Sequence, residues 1–511
     1  MTPRVTPRAV LLHDLLDRAA ESWPERPAVS TATASLSFGE LAAASHRAAA
    51  WLAAEGVSRG ERIVLAAPAG LLTAVMLWGA ARAGVVFIVV HEQVKGRPLA
   101  HVLDDSQPAL LLSDDPEAAL AARGRHGRAV TAAELADHLL RRTALPAQPI
   151  ERRAAPPRPL AVDPACMIYT SGSTAAPKAV VSTHAQMVFA VEAIQSMLRY
   201  QPDDVVYCPL PLSFDYGMYQ LFLGAASGAQ VWLGRSNEVG PSLLANLRAA
   251  QATVLAGVPA IAAALARLLR RSPTAPPPLR LLTNTGAAMP QATLAALRAQ
   301  LPGLRVQLMF GLTECKRAAI MPPDGDLARP GACGRALPGT EIAVVDDGGG
   351  PLPAGEVGQI VVRGPHVMAG YWRRPELTAQ RFPRVEGLFP ELRTGDYGWL
   401  DADGYLYFVG RRDDIYKEHG FRVSTTEVEA AAMRVPGVEA AAVLAPAAGQ
   451  PARLAVVTRL PAAQVVARLR EELEEYKIPQ HCQVLEALPL SDNGKVDKQA
   501  LALRLRERAN A

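Results

Sequence analysis

The sequence is poor in cysteine, poor in aromatics and close to charge-neutral, and each shortage excludes something. Its five cysteines in 511 residues (Cys166, Cys208, Cys315, Cys333 and Cys482) lie far apart with no CxxC pair. That excludes a disulfide framework and a cysteine-ligated zinc site, and it fits a reducing compartment. The net charge is only +4, and the arginines are scattered through alanine-rich segments such as AAALARLLRR. Without a basic stripe carrying interleaved aromatics, nucleic acid is not expected as a partner. The N-terminal MTPRVTPRAVLLHDLL has neither the long apolar core nor the small-residue cleavage site of a secretory signal, so a cytoplasmic protein is expected. The span Leu71 to Val90 approaches membrane-crossing length, but Gly79, Arg82 and Gly84 break it. It reads as a helix followed by a buried strand, and no stable membrane insertion is expected.

What is present points to a multidomain α/β protein. Half the residues are hydrophobic and a fifth are charged, and the chain is too long for one compact core. Over the first 400 or so positions, β-branched apolar runs alternate with helical periods, as in RIVLAAP then GLLTAVMLWGAARAG. That alternation predicts layered sheets and helices. Past residue 340 the texture changes: TEIAVVDDGGGPLPAGEVGQIVVRG reads as strand, glycine turn, strand. The last hundred or so residues alternate short strands and amphipathic helices, enough for a small α+β domain. The expected division is 1–411 for a large domain with a β-rich subdomain and 412–511 for a small one, with the boundary in the charged run Arg411 to Asp414.

Four stretches carry candidate chemistry. MIYTSGSTAAPKAVVSTH places Thr170, Ser171, Gly172, Ser173, Thr174 and Lys178 between two apolar runs. Backbone N–H groups and hydroxyls there can wrap phosphate oxygens, with Lys178 as a point charge. Lys178 follows Pro177 and precedes Ala179, so this is not the Gly-Lys-Ser/Thr loop of many nucleotide hydrolases. MFGLTECKR offers Phe310 to stack on a purine, Thr313 to bond a phosphate and Glu314 to hold Mg²⁺. RTGDYGWLDADGYLYFVGRRDD places Asp396 in what reads as a glycine turn, with a carboxylate suited to two ribose hydroxyls. Near the C-terminus, LPLSDNGKVDKQAL sets Lys495 on a polar turn before a helix.

In this order and at these separations, the blocks resemble the adenylate-forming superfamily of acyl-CoA synthetases, amino-acid adenylation domains and firefly-type luciferases. The likeness runs from LSFGELAAASHRAAAWLAAEGV to NGKVDKQAL. It implies an AMP-forming acid–thiol ligase using ATP and Mg²⁺. Ser171 to Lys178 would close over the β- and γ-phosphates, and Thr285, Gly286 and Ala287 would line the adenine pocket. Phe310 would pack on the base, Thr313 would touch the α-phosphate and Glu314 would bind the metal. Asp396 and Arg411 would hold the ribose, and Lys495 would reach between the carboxylate and the α-phosphate. Asp413 would be the hinge of the small domain, whose rotation would present Lys417 and Gly420 to a pantetheine arm. Ala175 and Ala179 stand where the family commonly has glycine, which narrows the backbone's freedom without removing a phosphate donor.

The same resemblance places the acid pocket at PLSFDYGMYQ. Phe214, Asp215, Tyr216, Tyr219, Met309 and Arg317 would line it, and Asp215 aligns with the aspartate that holds the substrate's ammonium in amino-acid adenylation domains. A carboxylate in an apolar pocket needs a cation, so an amino or imino acid, with a proline-like ring as one example, is expected. Two readings stay open: Arg317 pairing with Asp215, which weakens the amino-acid case, and a plain acyl chain as substrate. The thiol acceptor is expected in trans, either a carrier protein or coenzyme A. A luciferase-like oxygenase is the alternative of another class. Cys315 is expected to be pocket wall and His184 a helix-start residue or weak phosphate contact.

Overall fold

The structure is a computed structural model that describes residues 9–115, 127–140, 158–170, 177–235, 238, 240–272, 275–385, 389–411, 415–418, 421–446, 451–473, 475–490 and 496–507. The chain divides into two compact units, Met1–Ile342 with Val362–Arg393 and Ala343–Val361 with Thr394–Ala511. The class is α/β, with a large N-terminal domain and a small C-terminal one.

In the first unit, one sheet runs in the order Gly370–Tyr371, Lys178–Thr183, Pro164–Thr170, Val86–Val89, Arg62–Ala66, Leu110–Ser113 and Arg128–Val130. Its first two pairings are antiparallel and the rest parallel. Parallel strands are covered on both faces, and this explains their unbroken apolar sequence. Successive side chains alternate between faces: Ile63 and Leu65 join one hydrophobic cluster, and Val64 between them joins another. A second run of strands includes Arg305–Phe310, Leu281–Asn284, Val254–Ala256, Val205–Cys208, Gln230–Leu233 and Pro27–Ser30 in that order, with parallel neighbours throughout.

Three helix ends follow directly from local sequence. Ser37 and Glu40 cap Phe38–Ala54 reciprocally, and Thr183 and Gln186 do the same for His184–Leu198; each such cap is worth about 1 kcal/mol. Leu71–Ala83 ends at Gly84, whose φ of 70° suits glycine. The strand Val86–Val89 follows at once, so the apolar span Leu71 to Val90 is helix plus strand, as its breaks imply. Among the described residues no helix is long and apolar enough to cross a membrane. Trp78 of that helix is buried edge-on against Phe222 at 5.2 Å, within the largest core cluster.

In the second unit, Leu406–Arg411 pairs antiparallel with the end of Phe389–Leu400. The hairpin Ile415–Glu418 and Phe421–Ser424 leads into the helix Thr425–Arg434. A three-stranded sheet of Val438–Leu444, Arg453–Thr458 and His481–Leu485 packs with Ala462–Leu469 and Lys498–Glu507.

Candidate active site

The stretch Gly311–Arg317 is the tip of a hairpin, closed where Ala318 donates its N–H to the Phe310 carbonyl at 2.8 Å. A Cβ on Gly311 would lie 2.1 Å from the carbonyl oxygen of Lys316, so only glycine lets the two sides of the tip meet. Lys316 itself has φ of 62°, a left-handed turn that side chains other than glycine adopt at some cost. The turn sends Lys316 and Arg317 inward. Lys316 is 1 % exposed and Arg317 4 %, which long cations reach only when something holds them.

Arg317 meets Asp215, the first residue of the helix Asp215–Ser227, at 3.4 Å between Nη1 and Oδ2. It also donates to the Lys316 carbonyl at 2.7 Å, and its guanidinium lies over the Tyr216 ring at 4.8 Å. Tyr216 is locked in turn, its hydroxyl donating to the Thr283 carbonyl at 2.6 Å. The Lys316 ammonium donates to the Thr313 carbonyl at 3.1 Å and sits 5.7 Å from the centre of the Tyr219 ring. Burial pushes its pKa down, against a pull upward from Asp215. Tyr216 and Tyr219 are buried beside these charges, Phe214 stands edge-on to Tyr216 at 6.2 Å, and Met309 is buried opposite Ile320 in the hairpin. Asp215, Lys316 and Arg317 thus lie buried near one another among packed rings, and Glu314 also acts on Lys316 through charge.

Lys178 begins the strand Lys178–Thr183 directly opposite Thr170. Its ammonium rests 4.1 Å from the centre of the Tyr371 ring. The Tyr371 hydroxyl donates to Oε1 of Glu314 at 2.7 Å. Glu314 is buried, and its backbone carbonyl accepts from the Met368 N–H at 2.9 Å. A buried carboxylate held through one oxygen is a hard donor of the kind Mg²⁺ takes, so the residues present fit that ion. Tyr169 and Pro177, on either side of residues 171–176, are both tied to the helix Gly96–Ser106. Tyr169 donates to Asp105 at 2.8 Å, and His101 Nε2 is 2.8 Å from the Pro177 carbonyl.

Thr285, Gly286 and Ala287 follow the strand Leu281–Asn284, with Gly286 at φ 88° close to Phe214. Phe310 ends the strand Arg305–Phe310. In the second unit, Asp396 lies within the strand Phe389–Leu400 and not in a turn. The tract continues to pair through Leu400, with a bulge after Tyr397 where Val409 of the partner strand is the extra residue. Asp396 is opposite Arg411, with Oδ1 3.5 Å from Nε. Lys417 lies on Ile415–Glu418, opposite Arg422. Ser171, Gly172, Ser173, Thr174, Asp413, Gly420 and Lys495 lie outside the described residues.

The model for AMP-binding enzymes matches residues 16–372, and that for the AMP-binding enzyme C-terminal domain matches 427–495. The chain belongs to the adenylate-forming superfamily. It is an AMP-forming ligase of the kind these ATP-using enzymes represent. It is 30% identical to the L-proline--[L-prolyl-carrier protein] ligase of Streptomyces coelicolor, over 92% of both chains. It is 32% identical to the sulfoacetate--CoA ligase of Cupriavidus necator, over 95% of this chain and 96% of that one. Among solved structures it is similar to VinN, 40% identical with a TM-score of 0.71 over 78% of this chain and 98% of that one. VinN is also solved with L-aspartate. ATP-bound MatB of Rhodopseudomonas palustris superposes with a TM-score of 0.83 at 28% identity, over 96% of this chain and 98% of that one.

Two residues in this adenylate-forming enzyme escape the motif reading. Lys316 is the neighbour of a named residue, and its signal was a second cation in an otherwise apolar run, CKRAAI. Tyr371 carries no sequence signal, because only the pairing of Gly370–Tyr371 with Lys178–Thr183 brings it to Lys178. Cys315 is wholly buried, with its thiol pushed up to about 12 by that burial, as befits pocket wall and not a nucleophile. His184 starts its helix, buried, its Nδ1 accepting from the Leu12 N–H at 3.1 Å.

Proposed function

We propose that this enzyme adenylates a small amino acid bearing a second acidic group and passes it to the phosphopantetheine thiol of a carrier protein. One observation carries the reading: Asp215, Lys316 and Arg317 are buried near one another, with Arg317 3.4 Å from Asp215 and Asp215 acting on Lys316 through charge. An ammonium on the substrate answers Asp215. A second carboxylate answers Lys316 and Arg317, which a proline ring would leave facing an apolar surface. Arg317 is already paired with Asp215, and among the described residues Lys316 donates only to the Thr313 carbonyl, so a substrate carboxylate beside Lys316 would offset part of a burial cost on the order of several kcal/mol. The likeness to VinN, solved with L-aspartate, supports the acidic side chain, and the prolyl-carrier ligase supports a carrier protein.

On this reading the reacting carboxylate attacks the α-phosphorus of ATP, and pyrophosphate leaves. Attack brings two anions together, and Lys178 and Lys495 offset their repulsion. Glu314 would hold Mg²⁺, which supplies further neutralisation of phosphate charge when bound. Thr313 meets the α-phosphate, Phe310 and Thr285 to Ala287 take the base, and Asp396 with Arg411 takes the ribose. The Ser171–Thr174 segment follows the phosphates. In the second half-reaction the carrier thiolate attacks the acyl carbonyl and AMP leaves, with rotation about Asp413 placing Lys417 and Gly420 along the pantetheine arm. The small domain responsible is taken as 412–511.

A second reading has one observation behind it. Arg317 already pairs with Asp215 at 3.4 Å, so an acid with a second anionic group but no amine would also fit. The likeness to a sulfoacetate--CoA ligase goes with coenzyme A as its acceptor. ATP–pyrophosphate exchange separates the two. Exchange with L-aspartate or a close relative, lost in Asp215→Ala, supports the first; exchange with succinate or malonate but no amino acid overturns it.

A further inference from the structure

Resting on that reading of Lys178 and Glu314, we propose that Tyr371 is a positioning residue that couples the phosphate-loop lysine to the metal-binding carboxylate. One phenol touches both. Its ring face holds the Lys178 ammonium at 4.1 Å, and its hydroxyl donates to Glu314 Oε1 at 2.7 Å.

The contact is built by strand register. Tyr371 is directly opposite Val180 in an antiparallel pair, and Lys178, two residues along the same strand, projects from the same face as Val180. The lysine is therefore the diagonal neighbour of the tyrosine, within reach of a long side chain. Tyr371 is itself immobilised. Its N–H donates to the Thr378 hydroxyl at 3.0 Å, its ring packs against Phe382 at 5.5 Å, and it is 5 % exposed. The neighbouring Trp372 N–H donates to the Ala179 carbonyl at 2.9 Å, and Met368 holds the Glu314 backbone. The segment Met368 to Trp372 thus grips the carboxylate at backbone and side chain, and the lysine strand beside it. Burial and the nearby carboxylate both push the phenol's pKa up, so it remains a donor at neutral pH.

Two consequences follow for the chain's own groups. Fixing Oε1 aims the other carboxylate oxygen, so metal capture does not require Glu314 to be reoriented. The ring face gives Lys178 a defined resting place, so the ammonium is already near the phosphates' destination before nucleotide arrives. The two functions live on different parts of one side chain and can be removed separately.

Tyr371→Phe removes the hydroxyl and keeps the ring, and Tyr371→Leu removes both. The readouts are equilibrium titrations of a non-hydrolysable ATP analogue with and without Mg²⁺, and Mn²⁺ binding by electron paramagnetic resonance in the analogue's presence. Thermal melts verify folding. Tyr371→Phe is expected to weaken metal binding by about tenfold, the scale of a lost hydrogen bond to a charged group, with metal-free nucleotide binding changed by less than about twofold. Tyr371→Leu is expected to weaken both. If both variants bind metal and nucleotide as the wild type does while Glu314→Gln loses the metal and Lys178→Ala weakens nucleotide, the coupling is wrong and the functional reading stands. If Glu314→Gln and Lys178→Ala change nothing, the functional reading falls and takes the coupling with it.

Discussion

Lys316→Met separates what this lysine costs the fold from what it gives the substrate pocket. The ammonium is 1 % exposed and, among the described residues, donates one hydrogen bond, to the Thr313 carbonyl. Burying an ammonium with so few partners is unfavourable by several kcal/mol. Methionine has nearly the same length and no charge, and replacing a buried charge with a matching apolar side chain commonly returns about 1–4 kcal/mol. The ligand-free variant should therefore melt a few degrees higher than the wild type, by the usual order of about 1–4 °C per kcal/mol in a large domain. Catalysis should move the opposite way. A second substrate carboxylate would enter a pocket that has lost one of two cations, at about 2–3 kcal/mol. That corresponds to a fall in kcat/KM of about 30- to 150-fold for L-aspartate. L-alanine, which has nothing to offer Lys316, should lose little or improve. Pyrophosphate exchange on the two amino acids, with a melting curve for each protein, reads all of this. A variant that melts lower and loses both amino acids equally would refute the argument, since Lys316 would then be structural support and not a specificity group.

His184 and His366 are both buried and held down to about 4, chiefly by that burial. An ordinary histidine titrates near 6.5, so the unfolded chain binds more protons between the two values, and stability should fall as pH drops from about 6.5 to 4. Neither ring nitrogen of His366 has a hydrogen-bond partner among the described residues, so His366→Leu should raise the Tm at pH 7 and flatten that acid limb. An unchanged limb would contradict this. His101→Ala removes the tie to the Pro177 carbonyl and should raise the KM for ATP by about three- to tenfold, with the KM for the amino acid unmoved; equal changes in both would count against a role at the phosphate loop. Asp396→Ala should likewise raise the KM for ATP, and 2′-deoxy-ATP should be discriminated against by the wild type far more than by the variant. Equal discrimination by both proteins would remove Asp396 from the ribose.

How much of this could be read from the letters depended on whether the signal was local. Leu71 to Val90 resolved into helix and strand at Gly84, while Gly79 and Arg82 stay within the helix, and caps such as Ser37 with Glu40 are written within four residues. The pairing of Arg317 with Asp215, 102 residues apart, could be raised from the sequence because each sits beside a motif, but which way the pair turns depends on the left-handed Lys316. Asp396 misled because glycine beside aspartate usually marks a turn, whereas here Asp396 pairs with Arg411 and the strand runs on to Leu400. Tyr371 was invisible for a plainer reason. Its partners come from Lys178 and Glu314, far along the chain, and only strand register joins them.

A single competition shows whether Asp215, Lys316 and Arg317 choose the acid. The purified enzyme, with ATP, Mg²⁺ and hydroxylamine, is given equal amounts of L-aspartate, L-alanine, L-proline and succinate, and the trapped hydroxamates are measured by mass spectrometry. An aspartyl hydroxamate should dominate, with AMP formed in step. A product made mainly from alanine, proline or succinate would mean that Asp215, Lys316 and Arg317 do not select the acid.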